Sequence, residues 1–559
     1  MLISLSNQLS RSAWRRHLCF GLVSAVTIFV AGYHFGTFDQ SIHIPFLKKF
    51  SDPSLYPGNE ALLNLRFQHY SFFWFFFIPF YRLGILELAL FFTHFVATYL
   101  TFWRLWELSQ TLFNDALAGL LTLVVMIIPH IGFSAFPIFE FDLLNRTFVL
   151  PFLFWAMDLY LRRRYFYAFT LLGVLANLHV LSAAYIFFLF ILALVADFKQ
   201  IGWKRAAGYL AGFGVAASPV LVWRGLGSPP IFTLNPDWFQ AVAQGMFFHL
   251  NYLIAPFPHI WLVTLSALSG LVLFVIAWRR RLSPEHDRII AVFMAGILSI
   301  ILVQQVSVYT RPITIMVQTQ IMRVGMLAVV LAYLYAAGYL ARLYRARAMS
   351  SIDLTCLLIA FAMGIFSFIP LMVWFIQKVI KPARWRALLS GLTIMVLITV
   401  SFGLSLYYGI WKPGIYIYTR PTPWHATQVW ARQHTPKEAL FITPLHLWWF
   451  FDAEWRVFSE RSQVVAFSDL LEIAIVPDYF DEWRRRFDDF APGVRAQFRG
   501  DIFENLAMIG QAYIDLPDET LLKLADKYGA TYIVIEKPHT RPWKRIFENE
   551  QFIIYEIER

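Results

Sequence analysis

The chain has 559 residues, 58% of them hydrophobic, 18% aromatic and only 15% charged, with a mean hydropathy of +0.56 and a formal net charge of +11. A soluble protein carries about 25% charged residues, and a soluble fold could not cover this much apolar surface, so the composition points to a polytopic α-helical membrane protein. From Gly409 onward 18 Lys and Arg face 22 Asp and Glu, so the tail is −4 and the front +15; the basic surplus bounds apolar spans, and with no basic block interleaved with aromatics elsewhere, nucleic acid is not expected as a partner.

At the N-terminus, Arg11, Arg15 and Arg16 precede an apolar run from Leu18 to Tyr33 that leads into Ala31-Gly32-Tyr33-His34-Phe35 without a small-residue cleavage site. This reads as an uncleaved signal anchor with a cytoplasmic N-terminus. Apolar stretches then predict spans at 18–34, 85–104, 115–135, 147–161, 165–178, 182–197, 206–223, 259–278, 288–305, 322–341, 353–366, 369–381 and 387–407, thirteen in all. The basic clusters at Arg162–Arg164, Lys199/Lys204/Arg205, Arg279–Arg281, Arg342/Arg345/Arg347 and Lys378/Lys381/Arg384/Arg386 all fall on the cytoplasmic side if 353–381 is a hairpin turning near Pro370. Cys19 and Cys356 lie in apolar runs, where neither a disulfide framework nor a metal site is expected.

Residues 1–408 form the expected membrane domain, with external loops at 36–83, 225–258 and 306–321. The first loop carries Tyr70–Phe77, an aromatic stretch suited to the membrane interface. Within the spans, Asp158 precedes Arg162 by one helical turn, which predicts a snorkelling ion pair, and no chain of intramembrane acids or histidines suggests a proton relay. After the last span the pattern shifts to an external α/β domain over 409–559. Strands are predicted at Ala439–Thr443, Thr531–Ile535 and Gln551–Glu556, with a helix at Glu519–Tyr528 stopped by Gly529. This domain has no phosphate-binding glycine loop, metal-spaced His/Cys cluster or nucleophile elbow, so it is expected to bind or position substrate. Trp483-Arg484-Arg485-Arg486 reads as a solvated helix face, or as a contact for an anionic lipid surface or acceptor.

Few acids face the outside of the membrane domain. Asp39 lies five residues past the first span, and Glu140 and Asp142 lie between the third and fourth. Carboxylates held at a membrane-level cleft can act as general base towards an acceptor hydroxyl, or hold a divalent cation such as Mg or Mn through oxygen ligands. The structural reading is that Asp39 caps a helix starting at Gln40 and that Glu140 and Asp142 pair with Arg146. Arg146, Arg224, His249, Asn251, His259, Arg311, Gln318, Gln320 and Arg323 form a second group of external polar residues. Arg311 and Arg323 suit a lipid phosphate or pyrophosphate, against a plainer role as headgroup anchors; His249 and His259 also fit as satisfied interfacial histidines.

The layout of cytoplasmic N-terminus, long first external loop with an acid just past the membrane, interfacial helices, many spans and external C-terminal domain resembles the GT-C superfamily of polyprenyl-phosphate-dependent glycosyltransferases. Tyr33–Gln40, Phe458-Ser459-Glu460-Arg461 and Ala525–Tyr532 are similar, more locally, to an uncharacterised bacterial family of GT-C-like membrane proteins. The resemblance implies a bacterial inner-membrane location, a periplasmic C-terminal domain, and transfer of a sugar from a polyprenyl-phosphate carrier to an acceptor. It makes Asp39 the catalytic acid of the first loop, with Glu140 or Asp142 as a later-loop acid and Arg311 and Arg323 holding the leaving phosphate. Asp39 is followed by Gln40 instead of a second acid, which departs from the acidic pair common in those enzymes and leaves both metal dependence and activity open. Two other classes fit parts of the pattern. A lipid or solute transporter or flippase would need inverted repeats or buried mid-membrane charges, and a non-catalytic scaffold could be built on the same fold.

Overall fold

The structure is a computed structural model in which residues 2–57, 61–64, 71–133, 137–227, 233–246, 260–448 and 452–558 are described. In hydrocarbon, main-chain polar groups must be satisfied within the protein, so long apolar runs close into helices. Among the described residues, six helices are long and apolar enough to cross a membrane: Leu86–Phe113, Trp203–Leu226, Trp261–Trp278, Asp287–Thr310, Thr314–Arg345 and Ala383–Tyr407. Five shorter apolar helices, Ala116–Val125, Tyr165–Ala176, Val180–Ala196, Ser351–Met363 and Phe368–Val379, accompany them.

Thirteen spans, shorter ones among them, are expected from the sequence, and six of the described helices have the length and composition to cross. At about 1.5 Å per residue, helices of 10–17 residues reach only ~15–26 Å, less than the ~30 Å hydrocarbon core. The run predicted over 115–135 stops as a helix at Val125. Pro129 and Gly132 follow, and the buried His130 ring bonds the carbonyls of Val125 (2.6 Å) and Gly364 (3.1 Å). The hairpin expected near Pro370 is present but turns earlier, at 364–367 between Ser351–Met363 and Phe368–Val379. Pro370 sits in the first turn of the second helix, where its missing N–H costs nothing. The predicted Asp158–Arg162 pair forms, at 2.9 Å.

One proline is used constructively. Pro219 lies inside helix Trp203–Gly227 and breaks its hydrogen-bond ladder. Ser218 Oγ donates to the Val215 carbonyl at 2.8 Å, while Asn177 accepts from Val220 N (3.0 Å) and donates to the Ala216 carbonyl (2.8 Å). Asn177 therefore takes the place of the missing helical bond and pins the helix that carries Val220, Leu221 and Arg224.

Among the described residues, seven strands form two sheets: β1 (Tyr33–His34), β2 (Ile415–Tyr416), β3 (Leu440–Ile442), β4 (Ser462–Gln463), β5 (Tyr532–Glu536), β6 (Lys544–Glu548) and β7 (Phe552–Glu556). The five-stranded sheet runs β4-β3-β5-β7-β6, parallel from β4 to β5 and antiparallel from β5 to β6. The predicted β3, β5 and β7 are its three inner strands. Continuous burial of β7 from Phe552 to Tyr555 replaces the expected half-buried alternation, because β7 lies between two neighbours with side chains covered on both faces. Helix Asp518–Tyr528 ends as expected at Gly529, which adopts φ +76°. Trp483–Arg486 does not make one solvated face. In helix Phe480–Phe490, Trp483 and Arg486 are three residues apart and share the buried side, while Arg484 and Arg485 stay at the surface with Asp481 and Glu482.

The C-terminal residues do not fold apart from the membrane domain. β2 pairs in parallel with β1, directly after the first long helix, Ala13–Ala31. Gly36, at φ +78°, lies against Phe458 and Val457 so closely that a Cβ would stand 3.1 Å and 3.2 Å from their side chains. Lys48 Nζ donates to the Val457 carbonyl and to Glu460 at 2.7 Å, and Tyr56 Oη to the Arg456 carbonyl at 2.7 Å. One apolar core joins Phe38, Ile42 and Phe46 of the first loop, Trp238 of helix Pro236–Gly245 and the sheet domain. The segments 33–40 and 458–461 singled out in the sequence thus meet, whereas 525–532 lies on the far side of β3, with Thr531 N bonded to the Leu440 carbonyl.

Candidate functional site

Asp39 stands directly before helix Gln40–Ser51, yet its side chain makes no cap hydrogen bond. It turns instead to Arg146, whose Nη2 lies 2.7 Å from Asp39 Oδ2. The same guanidinium forks onto both carboxylate oxygens of Glu140 through Nε and Nη2. All three side chains are only 10–14% exposed. The neighbour Gln40 is structural: its Oε1 accepts from Gly36 N at 2.9 Å and its Nε2 donates to the Leu143 carbonyl at 3.0 Å. Gln40 thereby staples the first loop to the loop that bears Glu140 and Asp142.

Asp142 takes a different course from Glu140. It is 1% exposed, and its Oδ2 has no hydrogen-bond partner among the described residues. Burial pushes its carboxyl well above the ordinary carboxylate range, and the nearby charges of Glu140 and Asp39 push in the same direction. The expected pairing of Asp142 with Arg146 is therefore corrected: Arg146 binds Glu140 and Asp39, and Asp142 lies buried apart from that fork. A carboxyl raised in the folded state holds its proton while the unfolded chain releases it, so it destabilises the fold progressively as pH rises from about 4, the unfolded value. Asp142→Asn is expected to remove that loss, raising the thermal midpoint relative to wild type at pH 8 and leaving it nearly unchanged near pH 4. Differential scanning at both pH values checks this.

Asp39 and Arg146 open onto a cavity of about 380 Å³ lined also by Arg224, Gln318, Gln320 and Arg323. Its apolar wall comes from Val180, Leu181, Ala184, Val220 and Leu221, and the sheet domain closes it with Leu471, Glu472 and Ile475. A smaller cavity of about 50 Å³ continues past Glu140, Arg146, His179, Tyr185 and Arg323. Gln318 Nε2 donates to the Ile475 carbonyl at 2.8 Å, tying the 306–321 loop to the sheet domain. Tyr185 Oη bonds the Gln320 carbonyl at 3.0 Å and also the Thr319 carbonyl.

Two residues at this cavity carry unusual backbone. Phe38, just before Asp39, has φ +45°, and Gln320 has φ +43°. Left-handed conformations in residues other than glycine cost about 1–3 kcal/mol and persist where the surroundings enforce them. Phe38 is held by stacking on Trp448 at 5.7 Å, and Gln320 by the Tyr185 bond.

The structure thus gathers Asp39, Glu140, Arg146, Arg224, Gln318, Gln320 and Arg323. Arg311 is not part of the group: helix Asp287–Thr310 ends just before it, and the residue is exposed outside the cavity lining. His249, Asn251 and His259 lie outside the described residues. Sequence reasoning missed His43, Asn145, His179 and Glu472 on the cavity wall. His179 had a local signal, since it is the N-cap of helix Val180–Ala196, its Nδ1 accepting from Ser182 N at 3.2 Å. Glu472 had none, being one of 22 acids in the tail.

A divalent cation would rest on Asp39 and Glu140, but the Arg146 guanidinium already supplies positive charge to both. Among the described residues, no three His, Cys, Asp or Glu side chains gather as a ligand set. Asp39 and Glu140 are the residues that would hold such a cation, and no step below is routed through one.

Residues 422–490 match a family described as a domain of unknown function (DUF6798). The matched segment contains Val457–Glu460, which pack on the first loop, and Leu471–Glu472 of the cavity wall. No curated protein matches the chain.

Proposed function

We propose that the chain is a membrane glycosyltransferase of GT-C type that moves a sugar from a polyprenyl-phosphate carrier to an acceptor hydroxyl or amine on the outer face, with the sheet domain on that face and the N-terminus in the cytoplasm. One observation carries this reading: two carboxylates, Asp39 and Glu472, and three arginines from separate segments converge on a cavity whose other wall is apolar. A lipid phosphate needs both surfaces, arginine for the phosphate oxygens and aliphatic side chains for the first isoprene units.

In the proposed reaction the bond between the anomeric carbon and the phosphate oxygen breaks as the acceptor oxygen or nitrogen bonds to that carbon. The acceptor proton passes to Asp39, and polyprenyl phosphate leaves with the negative charge. Arg323 and Arg224 stabilise that charge as it develops. Arg146, whose fork is occupied by Asp39 and Glu140, is a positioning residue; this revises its expected part in holding the phosphate.

Binding of polyprenyl phosphate to the purified protein in nanodiscs tests the proposal. Arg323→Ala is expected to weaken it by roughly tenfold or more, the loss of one charge-assisted contact, while Asp39→Asn still binds. Absence of binding by the wild type to polyprenyl phosphate and to its sugar-loaded forms would remove the main support. The transporter or scaffold readings would then take precedence.

A further inference from the structure

A second large cavity, of about 850 Å³, lies at the other end of the helices that build the first. Helix Asn145–Leu161 begins at the first cavity with Asn145 and Arg146 and ends at the second with Leu161 and Arg162. Helix Val180–Ala196 likewise starts at the first and ends beside Asp197. Seventeen residues of helix span about 25 Å, which separates the two cavities by most of a membrane thickness.

The chemistry of the second cavity is that of an anion site. Arg162, Arg163 and Arg288 line it together with the carboxamides of Gln110 and Gln200. Of its two acids, Asp197 is already paired to Arg288 at 3.0 Å, and Glu285 is exposed. Arg162 is paired with Asp158 and Glu107. Arg163 makes no ion pair among the described residues, and stands at φ +60° in the turn between helices Asn145–Leu161 and Tyr165–Ala176. A guanidinium with no ion pair among the described residues, exposed at a polar cavity between membrane helices on the face where basic clusters gather, is how phosphate headgroups are bound.

We infer that this cavity binds a phosphate group, presented by an anionic phospholipid headgroup or by a soluble phosphate ester, at a site separate from the proposed catalytic cavity. The inference does not depend on the glycosyltransferase reading. The size suits a headgroup or a small phosphorylated molecule, since ligand pockets run from about 300 to 1,000 Å³.

The test uses full-length protein in detergent, titrated with phosphatidylglycerol and, separately, with glycerol phosphate, with binding read by native mass spectrometry. Arg163→Gln is compared with Arg279→Gln, a control from another basic cluster that does not line the cavity. Arg163→Gln is expected to weaken binding about fivefold, the usual effect of one basic residue on an anionic headgroup, and Arg279→Gln to leave it unchanged. A differential loss with phosphatidylglycerol alone identifies a lipid headgroup as the source; one with glycerol phosphate as well identifies a soluble ester. Equal behaviour of the two variants with both probes, or no binding by the wild type, overturns the inference. Because Arg163 holds no ion pair, misfolding is not expected to confuse the comparison, and an unchanged thermal midpoint verifies this.

Discussion

Arg146→Ala is expected to lower stability by about 3 kcal/mol, the lower end of the range for removing one partner of a buried ion pair. The physical reason lies in what remains. Asp39 and Glu140 would stand at one largely buried spot with the shared guanidinium gone, and Asp142 sits behind them in a position that already penalises charge. Arg146→Lys is expected to recover only part of the loss, because one ammonium cannot reproduce a fork that binds Glu140 through two nitrogens and Asp39 through one of them. Thermal unfolding of the detergent-solubilised variants measures both. An Arg146→Ala protein as stable as wild type would show that the three side chains are not coupled as described.

Asp39→Asn is expected to reduce sugar transfer by roughly 10²–10⁴-fold, the usual contribution of a positioned general base. The amide keeps the size of the side chain and Glu140 keeps its hold on Arg146, so the fold and the binding of polyprenyl phosphate are expected to survive. Comparison with Glu140→Gln separates the two acids. Both replacements weaken the same guanidinium cluster, but only Asp39 lines the large cavity, whereas Glu140 lies on the smaller extension. A loss confined to the rate, larger for Asp39→Asn than for Glu140→Gln, assigns the proton to Asp39.

Periodicity and apolar length made the helical membrane domain and the inner strands β3, β5 and β7 legible, because these features are local and repeat. Span counting failed where chain geometry intervened: Pro129 and Gly132 halt a helix inside an apolar run, and several helices of the right composition are too short. The short strands β1, β2 and β4 have two residues each and leave no periodic trace. At the site, Asp39 and Glu140 could be picked out because acids are scarce in the membrane domain, yet their common partner Arg146 decided their geometry, and Asp142, two residues from Glu140, turned into the core. In a regular extended segment residues two apart would share a face, so it is the bends at 141–142, set by tertiary packing, that send Asp142 inward while Glu140 stays with the cavity. Glu472 was beyond reach because its place depends on docking of the sheet domain onto the first loop, through contacts such as Gly36 with Phe458 and Lys48 with Glu460 that span more than 400 positions.

The most direct test of the central claim is single-turnover consumption of sugar-loaded polyprenyl phosphates by the purified protein with a membrane extract added as the source of acceptor hydroxyls and amines, release of free polyprenyl phosphate being read by mass spectrometry. The account predicts release by the wild type from at least one donor in a panel of polyprenyl-phosphate hexoses and pentoses, and loss of that release in Asp39→Asn with donor still bound. Release by Asp39→Asn at the wild-type rate would contradict it.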